Sequence, residues 1–386
     1  MKRILPLVLV PVAILLLIVG FANVGRGQGN PSVLSALPQV ITAPPDNLPS
    51  PAKVALGRLL FWDPILSGNK DVACGTCHHP RFGYAENLDI SIGVNGVGLG
   101  DTRQFLSPNS IPFVKRNSQT ILNTAFNGLD SQSHYNPSAA PMFWDLRAQG
   151  LEAQALLPIK TFEEMRGNAY SEENALDTVV ARLRAIPEYR LLFTRAFGSD
   201  PAISAENLGK ALAAFQRTLV ANNSPFDRYM RGDSAAMTSA QIQGMRRFER
   251  VGCMNCHSGP MFSDYKLHVL AIPDNRKLPD SDQGANQTYA FRTASLRNLA
   301  YTAPYMHSGA FSTLDDVLDF YDGGRRRPRN RNVRRDQLDP LLGRLRGVDN
   351  SERDLIEFLN ALNDDSFDQT IPLLVPSGLH PGGRIE

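Results

Sequence analysis

All four cysteines of the chain stand in two short pairs, CGTCH at 74–78 and CMNCH at 253–257, each closed by a histidine and set 179 residues apart. Two thiols at this spacing reach the two vinyl groups of one haem, and the adjoining imidazole can swing beneath the ring to hold its iron. Cys74, Cys77 and His78 form one such set, and Cys253, Cys256 and His257 the other. Two alternatives compete. A four-cysteine zinc ribbon separates its pairs by only about 15 to 20 residues, and a thioredoxin-like redox pair calls for a βαβ setting. Neither explains why both pairs carry the extra histidine. The sequence therefore predicts two covalently bound haem c groups, one in each half of the chain.

The N-terminus supports an export route in which such cofactors are at home. MKRILPLVLVPVAILLLIVGFANVG places two cations before an apolar run from Ile4 to Phe21, which predicts a signal peptide or an uncleaved membrane anchor over residues 1–22. Outside the cytoplasm a free CxxC would oxidise unless something occupied it. The expected location is the periplasm or another extracytoplasmic space, either free or tethered to the inner membrane. With 40 Lys and Arg against 38 Asp and Glu, the charge is balanced and gives no argument for a nucleic-acid partner. Seven arginines nevertheless crowd into RRRPRNRNVRR at 325–335, a solvated loop expected to steer an acidic partner.

Residues 23–49, rich in Gly, Pro and Ser, read as a linker. Ser50 and Pro51 then mark a helix start, followed by a loop-rich stretch to about 165. Helical periodicity appears over SEENALDTVVARLRAI (171–186) and SAENLGKALAAFQRTLV (204–220). Thr238 and Gln241 form a capping-box pattern, a short helix is expected before Gly323 and Gly324, and SERDLIEFLNAL forms the last long one. No stretch alternates, so the fold class is mainly α and loop-rich. Two packed cytochrome c-like haem domains are expected, an N-terminal one over 50–220 and a C-terminal one over 221–386.

Several ordered blocks make a family resemblance specific: LGRLLFWDPILSG, FWDLRAQGLEAQALLPI, IPEYR, SPFDRYMRGD, the second CxxCH followed by GPMFSD, and LRNLAYTAPYMHSGAF. From residue 50 to 364 the chain resembles the bacterial di-haem cytochrome c peroxidases, and among them the MauG-like branch. The resemblance implies a peroxide-reactive N-terminal haem, an electron-transferring C-terminal haem and a calcium ion between the domains. Where ordinary members carry a second histidine sixteen places after the first ligand, this chain has Val94, which cannot bind iron. The resemblance thus implies an open first haem; His79, beside the proximal ligand, would have difficulty reaching the other face. Where ordinary members carry a methionine ligand to the second haem, this chain has Tyr321, with Met306 and His268 as the rivals.

By the same resemblance Trp144 lies between the haems and relays charge, and Glu164 is the proton-shuttling carboxylate, with Glu163 as the alternative if the loop is shifted by one. Gln154 and Pro158 match further pocket positions. Asn117, with the backbone carbonyls of Thr302 and Pro304, matches the calcium site, whose oxygen donors suit a hard cation. The implied activity is oxidation of a partner protein with hydrogen peroxide. A detoxifying peroxidase fed by a small cytochrome c or a cupredoxin and a non-catalytic electron carrier are the competing readings. The family also frequently forms homodimers.

Overall fold

The computed structural model describes residues 34–198, 202–322 and 329–386. The expected signal or anchor segment therefore lies outside the described residues, as do Gly323, Gly324 and the start of the arginine run. Among the described residues no helix is long and apolar enough to cross a membrane. The segment expected as a linker is described from residue 34 onward, where Leu34, Leu37 and Asn47 are buried and the Leu37 amide donates to Asp227 Oδ1 at 2.9 Å.

The architecture is mainly helical, and its two halves repeat one device. In the first half, helix α1 (Pro51–Trp62) begins where Ser50 Oγ accepts from the Lys53 amide. Helices α2 (Ala175–Ala185), α3 (Pro187–Phe197) and α4 (Ala205–Gln216) complete that half, with α1 packed on α4. Gly57 permits this crossing: a Cβ there would lie 2.0 Å from the Ala211 carbonyl oxygen. Phe61, Leu60, Leu208, Leu212, Phe215, Tyr189 and Phe193 form the buried centre. Their spacing on α4 is the apolar stripe that the sequence periodicity indicates.

In the second half, α5 (Pro225–Met230) precedes α6 (Ser239–Val251), α7 (Leu314–Tyr321) and α8 (Glu352–Asn360). The capping box is present: Gln241 N donates to Thr238 Oγ1 at 3.2 Å and Thr238 N to Gln241 Oε1 at 3.0 Å. α6 packs on α8, and again a glycine allows it, since a Cβ on Gly244 would meet the Asp354 carbonyl oxygen at 2.0 Å. Phe226, Phe248, Phe262 and Phe358 fill the core with edge-to-face contacts, their centroids 5.1–6.1 Å apart. Each pair thus presents its first helix to a CxxCH motif that follows. Within each half the chain is otherwise mostly loop, pinned among the described residues by three antiparallel ladders of two residues per strand.

The halves also exchange their ends. Leu34 joins the core of the second half. Residues 366–386 run back to the first, where Phe367 and Val375 are buried and Tyr84 Oη donates to the Asp368 carbonyl at 2.6 Å. The last residues strap the first motif: Gly382 N donates to Trp62 O at 2.7 Å, Thr76 Oγ1 donates to Gly382 O at 2.7 Å, and Arg384 N donates to Asp71 O at 3.0 Å. Gly383, with φ +74°, makes this possible, because a Cβ there would stand 2.3 Å from Asp71 O.

Candidate active site

The two motifs are built alike. Cys74–Cys77 is a single helical turn, and the His78 amide closes it on the Cys74 carbonyl at 2.9 Å. His78 Nδ1 donates to the Tyr84 carbonyl at 3.1 Å. In the second motif the His257 amide meets Cys253 O at 2.9 Å, and His257 Nδ1 donates to Phe262 O at 2.9 Å. Tyr84 and Phe262 are both left-handed, with φ +58° and +52°, which turns each carbonyl toward its histidine. A carbonyl partner fixes the proton on Nδ1 and leaves Nε2 as the lone-pair nitrogen that a metal needs. Burial lowers both imidazoles, His78 to about 4, so they stay neutral.

Both motifs open into one cavity of about 720 Å³, lined by Cys74, Cys77 and His78 on one side and Cys253, Cys256 and His257 on the other. Burial pushes the Cys74 and Cys253 thiols up to about 12, so they stand protonated and neutral. Paired neutral thiols, an oriented imidazole and a shared apolar chamber fit covalently bound haem. Cys256, Asp264 and His268 also bring ligand atoms within 4.8 Å of one another, but in this arrangement Cys256 belongs to the second haem set.

The loop containing Val94 explains how the first pocket is shaped. Val94 is fully buried, its amide donates to the Glu164 carbonyl at 3.0 Å, and its side chain packs toward Gly167. Gly93 lies so close to the same segment that a Cβ would meet Glu163 O at 2.1 Å and Glu164 O at 2.3 Å. The segment holding Gly93 and Val94 therefore packs directly on the turn Phe162–Arg166, a π-type turn. Glu163 and Glu164 both line the cavity, as do Gln154 and Pro158 from the short helices Leu151–Gln154 and Leu157–Lys160. Withdrawal from water pushes the Glu164 carboxyl up to about 7; Arg147 opposes this, and Glu163 and Glu86 add to it.

Glu86 carries no motif signal. It is 1% exposed, with the Ser91 and Cys77 side chains and the Ile92 backbone as its polar neighbours. The Arg103 guanidinium is close enough to act on its charge, but its bonds go to the carbonyls of Ile92, Gly93 and Gly98. Burial raises the Glu86 carboxyl to about 7.

His79 is buried edge-on against Trp62, with ring centroids 5.6 Å apart, and its Nδ1 accepts from the Arg81 amide at 3.2 Å, so it serves packing in the loop.

Between the motifs, Trp144 lines the cavity and its indole N–H donates to the Asn117 carbonyl at 3.0 Å. His307 stands edge-on to it at 6.3 Å and stacks on Phe291 at 3.5 Å. Asn117 ties this group together: its amide N–H donates to His307 O at 2.8 Å and its side chain to Leu88 O at 2.8 Å. Arg116 binds Asp145 at 2.7 Å and Asp282 at 2.5 Å, which braces the same junction. Asn117, Thr302 and Pro304 all lie along the cavity wall.

Tyr321 and its rivals Met306 and His268 all line the cavity. Both ring nitrogens of His268 are engaged, Nδ1 with Asp339 at 2.6 Å and Nε2 with Asp264 at 3.1 Å. Met306 and Tyr321 both line the cavity and share one small core with Phe311 and Phe320. The Tyr321 hydroxyl is pushed well above the ordinary phenol range by burial and then by Cys256 and Cys253, which puts it beside the second pair of thiols.

Fold and site together describe a double c-type cytochrome with a reactive chamber. Residues 51–235 match the family model of the di-haem cytochrome c peroxidases. The methylamine utilization protein MauG of Methylorubrum extorquens is 35% identical over 345 residues, which cover 87% of this chain and 85% of that protein. The cytochrome-c peroxidase IdrP1 of a Pseudomonas species is 34% identical over 367 residues, with 86% and 85% covered. A solved MauG-like protein associated with microbial copper homeostasis superimposes with a TM-score of 0.68 at 28% identity, covering 86% of this chain and 95% of that one. The chain belongs to the di-haem cytochrome c peroxidase family, and is an oxidoreductase with two haem c groups.

Proposed function

We propose that the protein uses hydrogen peroxide at the first haem and withdraws electrons from a partner protein through the second, in the manner of the MauG-like branch. The observation that carries this reading is the seating of Val94 in the core, behind the turn that bears Glu164, instead of a ligand at that place. The haems supply the reaction with peroxide and the storage of oxidising equivalents. Glu164, with its carboxyl raised to about 7, takes a proton from bound peroxide and returns it to the departing oxygen. Gln154 and Pro158 wall the pocket, and Trp144, held by the Asn117 carbonyl, stands on the route between the motifs. Tyr321 holds the second iron as an anionic oxygen donor, which favours the oxidised state. Asn117, Thr302 and Pro304 supply oxygens to a calcium ion that stiffens the junction. Export to the periplasm follows from the N-terminal segment and from the covalent haem.

Similarity to IdrP1 favours a second reading, peroxide removal with electrons from a small cytochrome or cupredoxin. Electron paramagnetic resonance of the resting ferric protein tests the common part: one high-spin and one low-spin haem are expected, and two low-spin haems would overturn it in favour of an electron carrier. Tyr321→Met then separates the two enzyme readings. Partner-protein oxidation should be lost while peroxide reduction survives; retention of both would remove Tyr321 from the ligand set.

A further inference from the structure

The two motifs differ in what covers them. In the first, Gly75 is buried against the Trp62 ring and Thr76 against the C-terminal strap. In the second, Met254 is only half-buried and Asn255 is exposed. The stretch between the cysteines is thus covered in the first motif and open in the second, where another protein could approach.

That surface is ringed by arginine. Arg246 and Arg250, one turn apart, are exposed at the end of α6. The segment Pro340–Gly347 folds over Gly252: Arg346 N donates to Val251 O at 3.1 Å, and the Arg344 carbonyl would lie 3.6 Å from a Cβ on Gly252. Leu341, Leu342 and Leu345 of this segment face the cavity, while Arg344 and Arg346 are exposed. None of these four arginines pairs with a carboxylate among the described residues, whereas Arg247 is held by Asp354 at 3.4 Å. Across 246–257 and 340–347 the sole acid is Glu249. The opposite sign gathers next door, where burial and Asp319, Asp315 and Asp322 push up the Glu352 carboxyl. A basic ring with an acidic border sits on a chain whose overall charge is only +2.

We propose that Arg246, Arg250, Arg344 and Arg346 form a docking ring for an acidic redox protein that delivers electrons to the second haem. This rests on the reading that the second haem exchanges electrons with a protein. Electrons cross only short gaps, so the partner must seat beside the second motif, and an interface of transient redox type suffices. Carboxylates around the partner's own redox centre would be steered there and oriented by the ring.

The test uses the haem-loaded full chain, with a small acidic c-type cytochrome as the reduced probe and a basic one of similar potential as control. Stopped-flow rates with the acidic probe should fall about tenfold or more between roughly 10 and 200 mM salt. The quadruple variant R246Q/R250Q/R344Q/R346Q should be about tenfold slower at low salt and nearly insensitive to it. Its haem absorption spectrum and thermal midpoint, measured alongside, establish that it folds. Equal rates for both probes, or a folded variant as fast as the parent, would overturn the proposal. So would capture of anionic vesicles by the same arginines with no effect on electron transfer. Peroxide consumption with a neutral hydroquinone is measured separately. Its absence would sink the enzymatic reading and leave the salt-dependent probe reaction standing.

Discussion

At the scale of single residues, two buried carboxyls near the first motif carry distinct consequences. Glu164→Gln keeps size and removes the proton acceptor; peroxide turnover should fall by about 10²–10⁴ with an unchanged resting spectrum. In the parent, kcat/KM for peroxide should rise with pH through about 7, since the acceptor must be ionised, and this inflection should vanish in the variant. Glu86 touches stability instead. Its folded value of about 7 lies above the unfolded 4.5, so the native state retains a proton that the unfolded chain has lost. Stability should therefore decline as pH rises from 4.5 to beyond 7, by roughly 3 kcal/mol in total. Glu86→Gln should match the parent in urea unfolding at pH 5 and exceed it at pH 8; equal curves at both would show that its neighbours offset the cost of burying the charge. Glu86 was not legible in the sequence, because its meaning comes from burial, which only the fold supplies. The carbonyls of Tyr84 and Phe262 were equally hidden, since left-handed aromatic residues have no side-chain pattern. The two CxxCH motifs were legible, and the cavity they open into is also lined by Trp144, Gln154, Pro158, Glu164 and Tyr321, the residues to which the resemblance points.

At the scale of elements, the helices follow their signals closely. The Ser50 cap, the capping box at Thr238 and Gln241, and the stripe of α4 are local properties, and local rules read them. What the periodicity could not reveal is which helices touch. Gly57 and Gly244 decide that, each by letting one helix approach the backbone of another. Gly244→Ala should force α6 and α8 apart and cost about 1–3 kcal/mol in thermal or urea unfolding. Gly343→Ala, where an added Cβ meets nothing within 4 Å, is the matched control and should be near neutral. A neutral Gly244→Ala would mean that the pair slides without loss.

At the scale of the whole molecule, the returning tail was the part least legible in the sequence. Residues 366–386 have no helical period, and most of their long-range bonds use the tail's own backbone groups to meet segments about 300 positions upstream, which leaves no compositional trace. Ending the chain after Asp365 strips Phe367 and Val375 from the first core and the acceptor from Thr76. The loss should be at least about 3 kcal/mol, the ordinary scale for deleting one buried aromatic, and should appear in calorimetry of the haem-loaded protein. An unchanged midpoint would make the strap ornamental. The strap also has a consequence in time. Synthesis runs from the N-terminus, so the first motif emerges long before the glycine that will close over it. Thr76 cannot reach Gly382 until that glycine has been made, so the first motif to leave the ribosome is tied down by a residue made 306 positions later.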